Sequence, residues 1–132
     1  MKKLFFISGI AIITCYGCGH VDQPKAKALV VSLIQKIDSG KYNETSKYYT
    51  DEFNAGESLD ARMAKYKELQ EAFGNVVSIE CISAKDSTDP TDRPIVQLMY
   101  RVKHTKLTSL EAYSVVSQNG DYKVEEQDVK KE

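Results

Sequence analysis

The sequence predicts an α+β domain in which three N-terminal helices pack on a curved four-stranded antiparallel sheet. Three observations predict it. Apolar residues recur at three- and four-residue spacing up to Phe73 and alternate singly from Val77 onward. Gly74-Asn75 marks the change of period. Asn119-Gly120 separates two alternating runs, where a tight hairpin turn belongs. At 132 residues, 42% hydrophobic and 28% charged, the chain has room for one globular domain and not two. Seven Gly and three Pro exclude collagen-like or low-complexity architecture, and a formal net charge of -1 gives no electrostatic footprint for nucleic acid.

The chain opens with Lys2 and Lys3 ahead of an apolar run from Leu4 to Ile13, the layout of a bacterial secretory signal peptide. A permanent span needs about 20 apolar residues. This run is shorter and gives way to Gly17, Gly19, His20 and Asp22, so removal of residues 1–17 is expected. Gly17-Cys18 resembles the lipobox junction of bacterial lipoproteins. The resemblance implies that the Cys18 thiol receives a diacylglycerol, that cleavage precedes it, and that the new amino terminus is acylated, as with palmitate. Cys15, which follows Ile12, Ile13 and Thr14, is the competing anchor. Burial of ~0.8 kcal/mol per methylene makes one acyl chain a weak hold and two or three a stable one. The implied location is the outer face of a bacterial cell membrane, and in a diderm the outer membrane, because Gly19 rather than Asp follows Cys18. Loss of Lys2 and Lys3 with the signal takes the net charge from -1 to about -3, with no polybasic patch.

Residues 18–23 form a short tether, and residues 24–132 form the domain. Pro24 suits a first helical turn behind Asp22 or Gln23. Ala26, Leu29, Val30, Leu33, Ile34 and Ile37 make one apolar stripe up to Asp38, and Ser39-Gly40 ends the helix. A short second helix from Lys41 to Tyr49 places Tyr42, Thr45, Tyr48 and Tyr49 on one side, with Phe53 in the loop beyond. The third runs from Ser58 to Phe73, burying Leu59, Met63, Tyr66, Leu69 and Phe73, with Arg62, Lys65, Lys67, Glu68 and Glu71 facing water.

In the first strand Val77, Ile79 and Cys81 face inward; in the second Val96, Leu98, Tyr100 and Val102 do. The polar stretch from Asp86 to Pro94 joins them as a long loop. A third strand covers Thr108 to Gln118, and a fourth runs from Tyr122 to Val129. Helices first and a strand meander after favour a sheet wrapped around the long first helix. This order, together with Asp38-Ser39-Gly40-Lys41-Tyr42 and Asn119-Gly120-Asp121-Tyr122-Lys123-Val124, resembles the cystatin-like cone of the nuclear-transport-factor-2-like superfamily. More narrowly, it is similar to small bacterial lipoproteins of unknown function built on that cone.

Enzymes on that cone use Asp, Tyr and His in the mouth between helices and sheet, which directs attention to His104. It continues the inward set of the second strand but stands beside Lys103, Thr105 and Lys106, where an exposed rim histidine is expected. Glu111 with Glu126 or Asp128 offers a carboxylate pair, for which a solvated strand face is the expectation. Asp86, Asp89 and Asp92 lack the remaining ligands of a calcium loop and read as a hairpin tip, so no metal is expected. Cys81 reads as a small buried hydrophobe. Tyr66, Tyr100, His104 and Tyr113 are the residues expected to line any pocket.

The expectation is a non-catalytic binding or interaction module without a cofactor, held at the membrane and meeting another envelope protein. The alternative is a carrier or sensor of a small amphipathic ligand; an isomerase- or hydrolase-like enzyme using His104 ranks behind both. A core closed by Leu33, Tyr66, Leu98 and Phe73 argues for protein interaction, whereas an apolar pocket with convergent polar groups argues for a ligand.

Overall fold

This computed structural model describes residues 20–132. The export signal over residues 1–17 and both candidate anchors, Cys15 and Cys18, lie outside the described residues. Among the described residues, no helix is long and apolar enough to cross a membrane.

Helix α1 spans Gln23–Asp38. The Asp22 side chain caps it by accepting from the Lys25 N–H at 3.2 Å, and Pro24 sits in the first turn, where a missing N–H leaves no bond unmade. Its stripe is buried at Ala26, Val30, Leu33 and Ile34. The expected tether over residues 18–23 is shorter than its sequence implies. Val21 is buried, and the Asp22 N–H donates to the Tyr122 hydroxyl at 2.7 Å, so the last three tether residues belong to the domain.

The expected helix from Lys41 to Tyr49 is instead two 3-10 turns, Tyr42–Glu44 and Ser46–Tyr48. The Thr45 hydroxyl donates to the Tyr42 carbonyl at 2.7 Å, a local bond that competes with helical continuation. Tyr49 then pairs with Val124 as an isolated parallel bridge, and the Thr50 N–H donates to the Val124 carbonyl at 3.0 Å. Helix α2, Asp51–Gly56, follows and takes in Phe53, which was expected in a loop. The Phe53 ring stacks on Tyr49 at 4.2 Å.

Helix α3 covers Leu59–Phe73, capped by the Ser58 hydroxyl. Arg62, expected in water, is 1% exposed. Its guanidinium carbon lies 4.5 Å from the Tyr49 ring centre and 5.1 Å from that of Phe53, and Glu57 approaches Nε at 3.8 Å. Nε and one terminal nitrogen have no hydrogen-bond partner, so ring faces and one carboxylate hold this charge.

Strands β1 (Val76–Thr88), β2 (Pro94–His104), β3 (Thr108–Gln118) and β4 (Asp121–Lys131) form an antiparallel sheet in chain order. The inner face carries buried Val96, Leu98, Tyr100, Val102, Tyr113, Val115 and Val124, which join the α1 stripe and Tyr66 in one core. Bulges interrupt β1 between Val76 and Ser78 and between Cys81 and Ser83. Each bulge adds a residue and resets the alternation. Val77 and Ile82 are the added residues and are 60% and 40% exposed. Val77 thereby drops out of the inward series, whereas Ile79 and Cys81 stand opposite Val102 and Tyr100; Cys81, on the edge strand, is exposed rather than a buried hydrophobe.

The β1–β2 loop is shorter than the stretch from Asp86 to Pro94, because Asp86–Thr88 pair within β1 and Pro94 opens β2. Asp89 closes it. One carboxylate oxygen accepts from the Thr91 hydroxyl at 2.7 Å and from the Thr91 and Arg93 N–H groups, and the other accepts from Arg93 Nε at 2.9 Å. The Thr91 hydroxyl, then the backbone donors, hold this carboxyl down to about 2. At the other hairpin, Asn119 and Gly120 have φ of 53° and 84°, as a type I′ turn requires.

Gly74 ends α3 with φ 84°, and a Cβ there would lie 2.0 Å from the Thr105 hydroxyl and 3.2 Å from the Lys106 backbone nitrogen. Gly74→Ala adds backbone strain of about 1–3 kcal/mol to that clash. Urea unfolding of the variant should show a midpoint well below the parent's; an unchanged midpoint contradicts the tight approach.

Arg62→Ala removes a buried stem and leaves a void, at an expected cost of about 2–4 kcal/mol. Arg62→Met keeps the volume without the charge and is expected to lie within about 1.5 kcal/mol of the parent. Equal losses in the two variants would show that the charge, not the packing, is what matters.

Candidate functional site

The C-terminal halves of α1 and α3 meet the sheet around a cavity of about 50 Å3. Its wall is mostly apolar, with Ile34 and Ile37 from α1, Leu69 and Phe73 from α3, Val76 from β1 and Val129 from β4. Set into it are Asp38, Tyr66, Gln70, His104, Glu111 and Gln127. Helical spacing delivers Tyr66, Leu69, Gln70 and Phe73 to one side of α3, and strand pairing sets Glu111 opposite Val129 and Tyr113 opposite Gln127.

Glu111 is the centre of the polar wall. Its residue is 6% exposed, a correction to the solvated strand face expected for it. One carboxylate oxygen accepts from the Ser109 hydroxyl at 3.0 Å and the other from the Tyr113 hydroxyl. The carboxylate pair that Glu126 or Asp128 could have made with it does not form, and for these two the expected solvated face is found: both are exposed and alternate away from inward-facing Gln127 and Val129. Strand parity accounts for the burial, since Ser109, Glu111, Tyr113 and Val115 share one side of β3 and all are buried.

His104 is also corrected. It is no rim histidine, for its side chain is 9% exposed and the Phe73 ring meets it edge-on at 5.3 Å. Nδ1 lies 3.2 Å from the Gly74 carbonyl, which can only accept, so that nitrogen carries a hydrogen. Nε2 lies 3.0 Å from the Ser109 hydroxyl and 3.9 Å from Glu111. Ser109 thus links imidazole to carboxylate, and both ring nitrogens are engaged within the protein.

A second group extends the wall. Gln127 Oε1 accepts from Tyr49 at 2.7 Å and from Tyr66 at 3.2 Å, the two hydroxyls also touch, and Gln127 Nε2 donates to Tyr113 at 3.4 Å. Burial pushes the Tyr66 hydroxyl up to about 12, and it raises Tyr49 and Tyr113 further. Gln70 donates to the Asp38 carbonyl at 2.8 Å and accepts from Tyr42. Asp38 Oδ1 accepts from the Val76 N–H at 2.8 Å.

Of the four residues expected to line a pocket, Tyr66 and His104 do so. Tyr113 stands one hydrogen bond behind, on Glu111, and Tyr100 turns toward α1, its hydroxyl 3.4 Å from the Lys27 carbonyl. Asp38, Gln70, Ser109 and Gln127 are contributors that residue type alone did not single out. Among the described residues, no group of three or more His, Cys, Asp or Glu is placed to hold a metal ion.

The chain matches no protein-family profile and no curated protein. It is similar in fold to a solved structure described as Bdellovibrio bacteriovorus Bd1075, with a TM-score of 0.54 and 14% identity. The likeness covers 82% of this chain and 40% of the other, so this chain spans well under half of that neighbour.

The raised tyrosines set the alkaline limit of stability. Their folded hydroxyls lose protons at higher pH than unfolded ones, so the unfolded state binds fewer protons once pH passes about 10. Stability is fully present below that point and falls between about pH 10 and 12, as Tyr66 ionises. Ultraviolet difference titration should show a late tyrosinate step coinciding with unfolding. Complete ionisation near pH 10 in the folded protein would contradict the buried cluster.

Proposed function

We propose that the chain is a lipid-anchored, extracytoplasmic binding module on a cystatin-like cone, and that its cavity takes part of a small amphipathic molecule. The carrying observation is the cavity itself, in which an apolar wall holds convergent polar groups, the arrangement typical of small-molecule sites. Leu33, Tyr66 and Leu98 are buried, but Phe73 is half-buried on the cavity wall, so these four do not close the core as a pure protein-interaction module would require. The small-ligand alternative is therefore the reading the geometry favours. Binding is favoured over catalysis because both His104 nitrogens have protein partners and neither is left for a reacting group.

The membrane part of the proposal rests on Lys2, Lys3, the apolar run and Gly17-Cys18. Docking of Val21 and Asp22 into the domain would hold the N-terminal end of α1 within a few residues of the anchor, with the cavity at the opposite, C-terminal end of that helix.

Cells fed a labelled fatty acid should yield a labelled protein in the membrane fraction, and Cys18→Ser should abolish the label. Label retained in that variant would move the anchor to Cys15; no label on the parent would remove the anchor altogether. Native mass spectrometry of the extracted parent should show a small bound molecule that Leu69→Trp, which fills the cavity, excludes. A parent with no adduct and no Leu69→Trp difference contradicts the ligand reading.

A further inference from the structure

The chemistry of the occupant follows from which polar groups on the cavity wall still have capacity. The donor-bearing groups are mostly committed to protein acceptors: the Tyr66 hydroxyl to Gln127, one Gln127 Nε2 hydrogen to Tyr113, Gln70 to the Asp38 carbonyl, and His104 Nδ1 to the Gly74 carbonyl. The acceptors are less filled. A carboxylate offers about four lone-pair positions. Glu111 receives one hydrogen bond on each oxygen, which leaves about half its capacity open. Asp38 uses Oδ1 for the Val76 N–H and has Oδ2 left over.

Charge points the same way. Two carboxylates line the cavity, no lysine or arginine does, and the one basic group is His104. An anionic ligand would meet Glu111 in a site sheltered from water, where like charges repel most strongly. A neutral hydroxyl would satisfy one lone pair. An ammonium brings three donors and a compensating charge, and charge-assisted bonds of this kind are about twice as strong as neutral ones. The rest of the wall is apolar, which suits a short alkyl portion beside the charged head.

We infer that the cavity receives the ammonium end of a small amphipathic amine, with Glu111 as the principal acceptor and Asp38 as the second. The inference rests on the ligand-binding reading above and gives it a chemical class.

The test is a titration of the isotopically labelled full chain with n-propylammonium, propionate and 1-propanol at matched ionic strength, read from backbone amide shifts. Propylammonium should shift Gly74, His104 and Val129 and bind at least about tenfold tighter than propionate or propanol. Glu111→Gln, close in shape, should bring the three probes to within about threefold of one another. If Glu111→Gln does not fold, Asp38→Asn, which keeps the Oδ1 acceptor for Val76, should narrow the preference in the same direction. Equal or tighter binding of propanol or propionate by the parent overturns the amine assignment while leaving the pocket in place. No shift at those amides with any probe overturns both. A preference that persists unchanged in both variants shows that the carboxylates do not recognise the amine, and it also overturns the inference.

Discussion

A carboxylate on the inner face of the sheet is the constraint around which the polar half of the core is arranged. Burying Glu111 without donors would be prohibitive, since an unpaired ionised group in an apolar interior faces a large desolvation penalty. Ser109 and Tyr113 supply donors from the same face of the same strand, two residues to either side. Each then recruits a partner: Ser109 engages His104 on β2, and Tyr113 accepts from Gln127 on β4. Three strands are tied through one acid. The chain continues through Gln127 to Tyr49 and Tyr66, and so to the bridge segment and α3. Satisfied networks of this kind specify one arrangement of a core, because any slip leaves a buried polar atom alone.

Next to that network lies an aromatic cluster that uses a cation differently. Tyr49 stacks on Phe53, and Arg62 lies against both rings, which fastens α2 and α3 to the edge of β4. The Tyr49–Val124 bridge and the Thr50 bond to Val124 cover part of that edge, while among the described residues none pairs with the outer edge of β1. Among the described residues, the exposed large apolar side chains are Val77 and Ile82, both on β1 at its bulges. Bulges bend and twist an edge away from regular pairing, a known protection against unwanted association of open strands.

Much of the framework was legible in the residues. The α1 stripe, the extent of α3 up to its stop at Gly74, the limits of β3 and the Asn119-Gly120 turn are written in local patterns that tertiary packing did not override. Three things were not. The segment from Lys41 to Tyr49 has helical spacing of its tyrosines, yet Thr45 and the pairing of Tyr49 with β4 draw it into tight turns. Bulges leave no mark in a strand whose residues are β-compatible at every position, so the departure of Val77 and Ile82 from the alternation could not be read. The polar core is hidden because residue type and position point in opposite directions there. Arg62 is four residues before Tyr66 and seven before Leu69, on the apolar stripe, and Glu111 has the parity of Tyr113 and Val115. Position placed both inward and charge argued for water; aromatic faces and flanking donors decided for the interior.

Whether Glu111 organises the polar core is decided by its coupling to Tyr113, measured through a double-mutant cycle of Glu111→Gln and Tyr113→Phe followed by chemical denaturation. Residues in one buried network couple by about 0.5–3 kcal/mol. A coupling within that range is expected, with Tyr113→Phe costing far less once Glu111 is changed. Additivity to within about 0.3 kcal/mol would show that the acid and its donor act independently, and would contradict a polar core organised around Glu111.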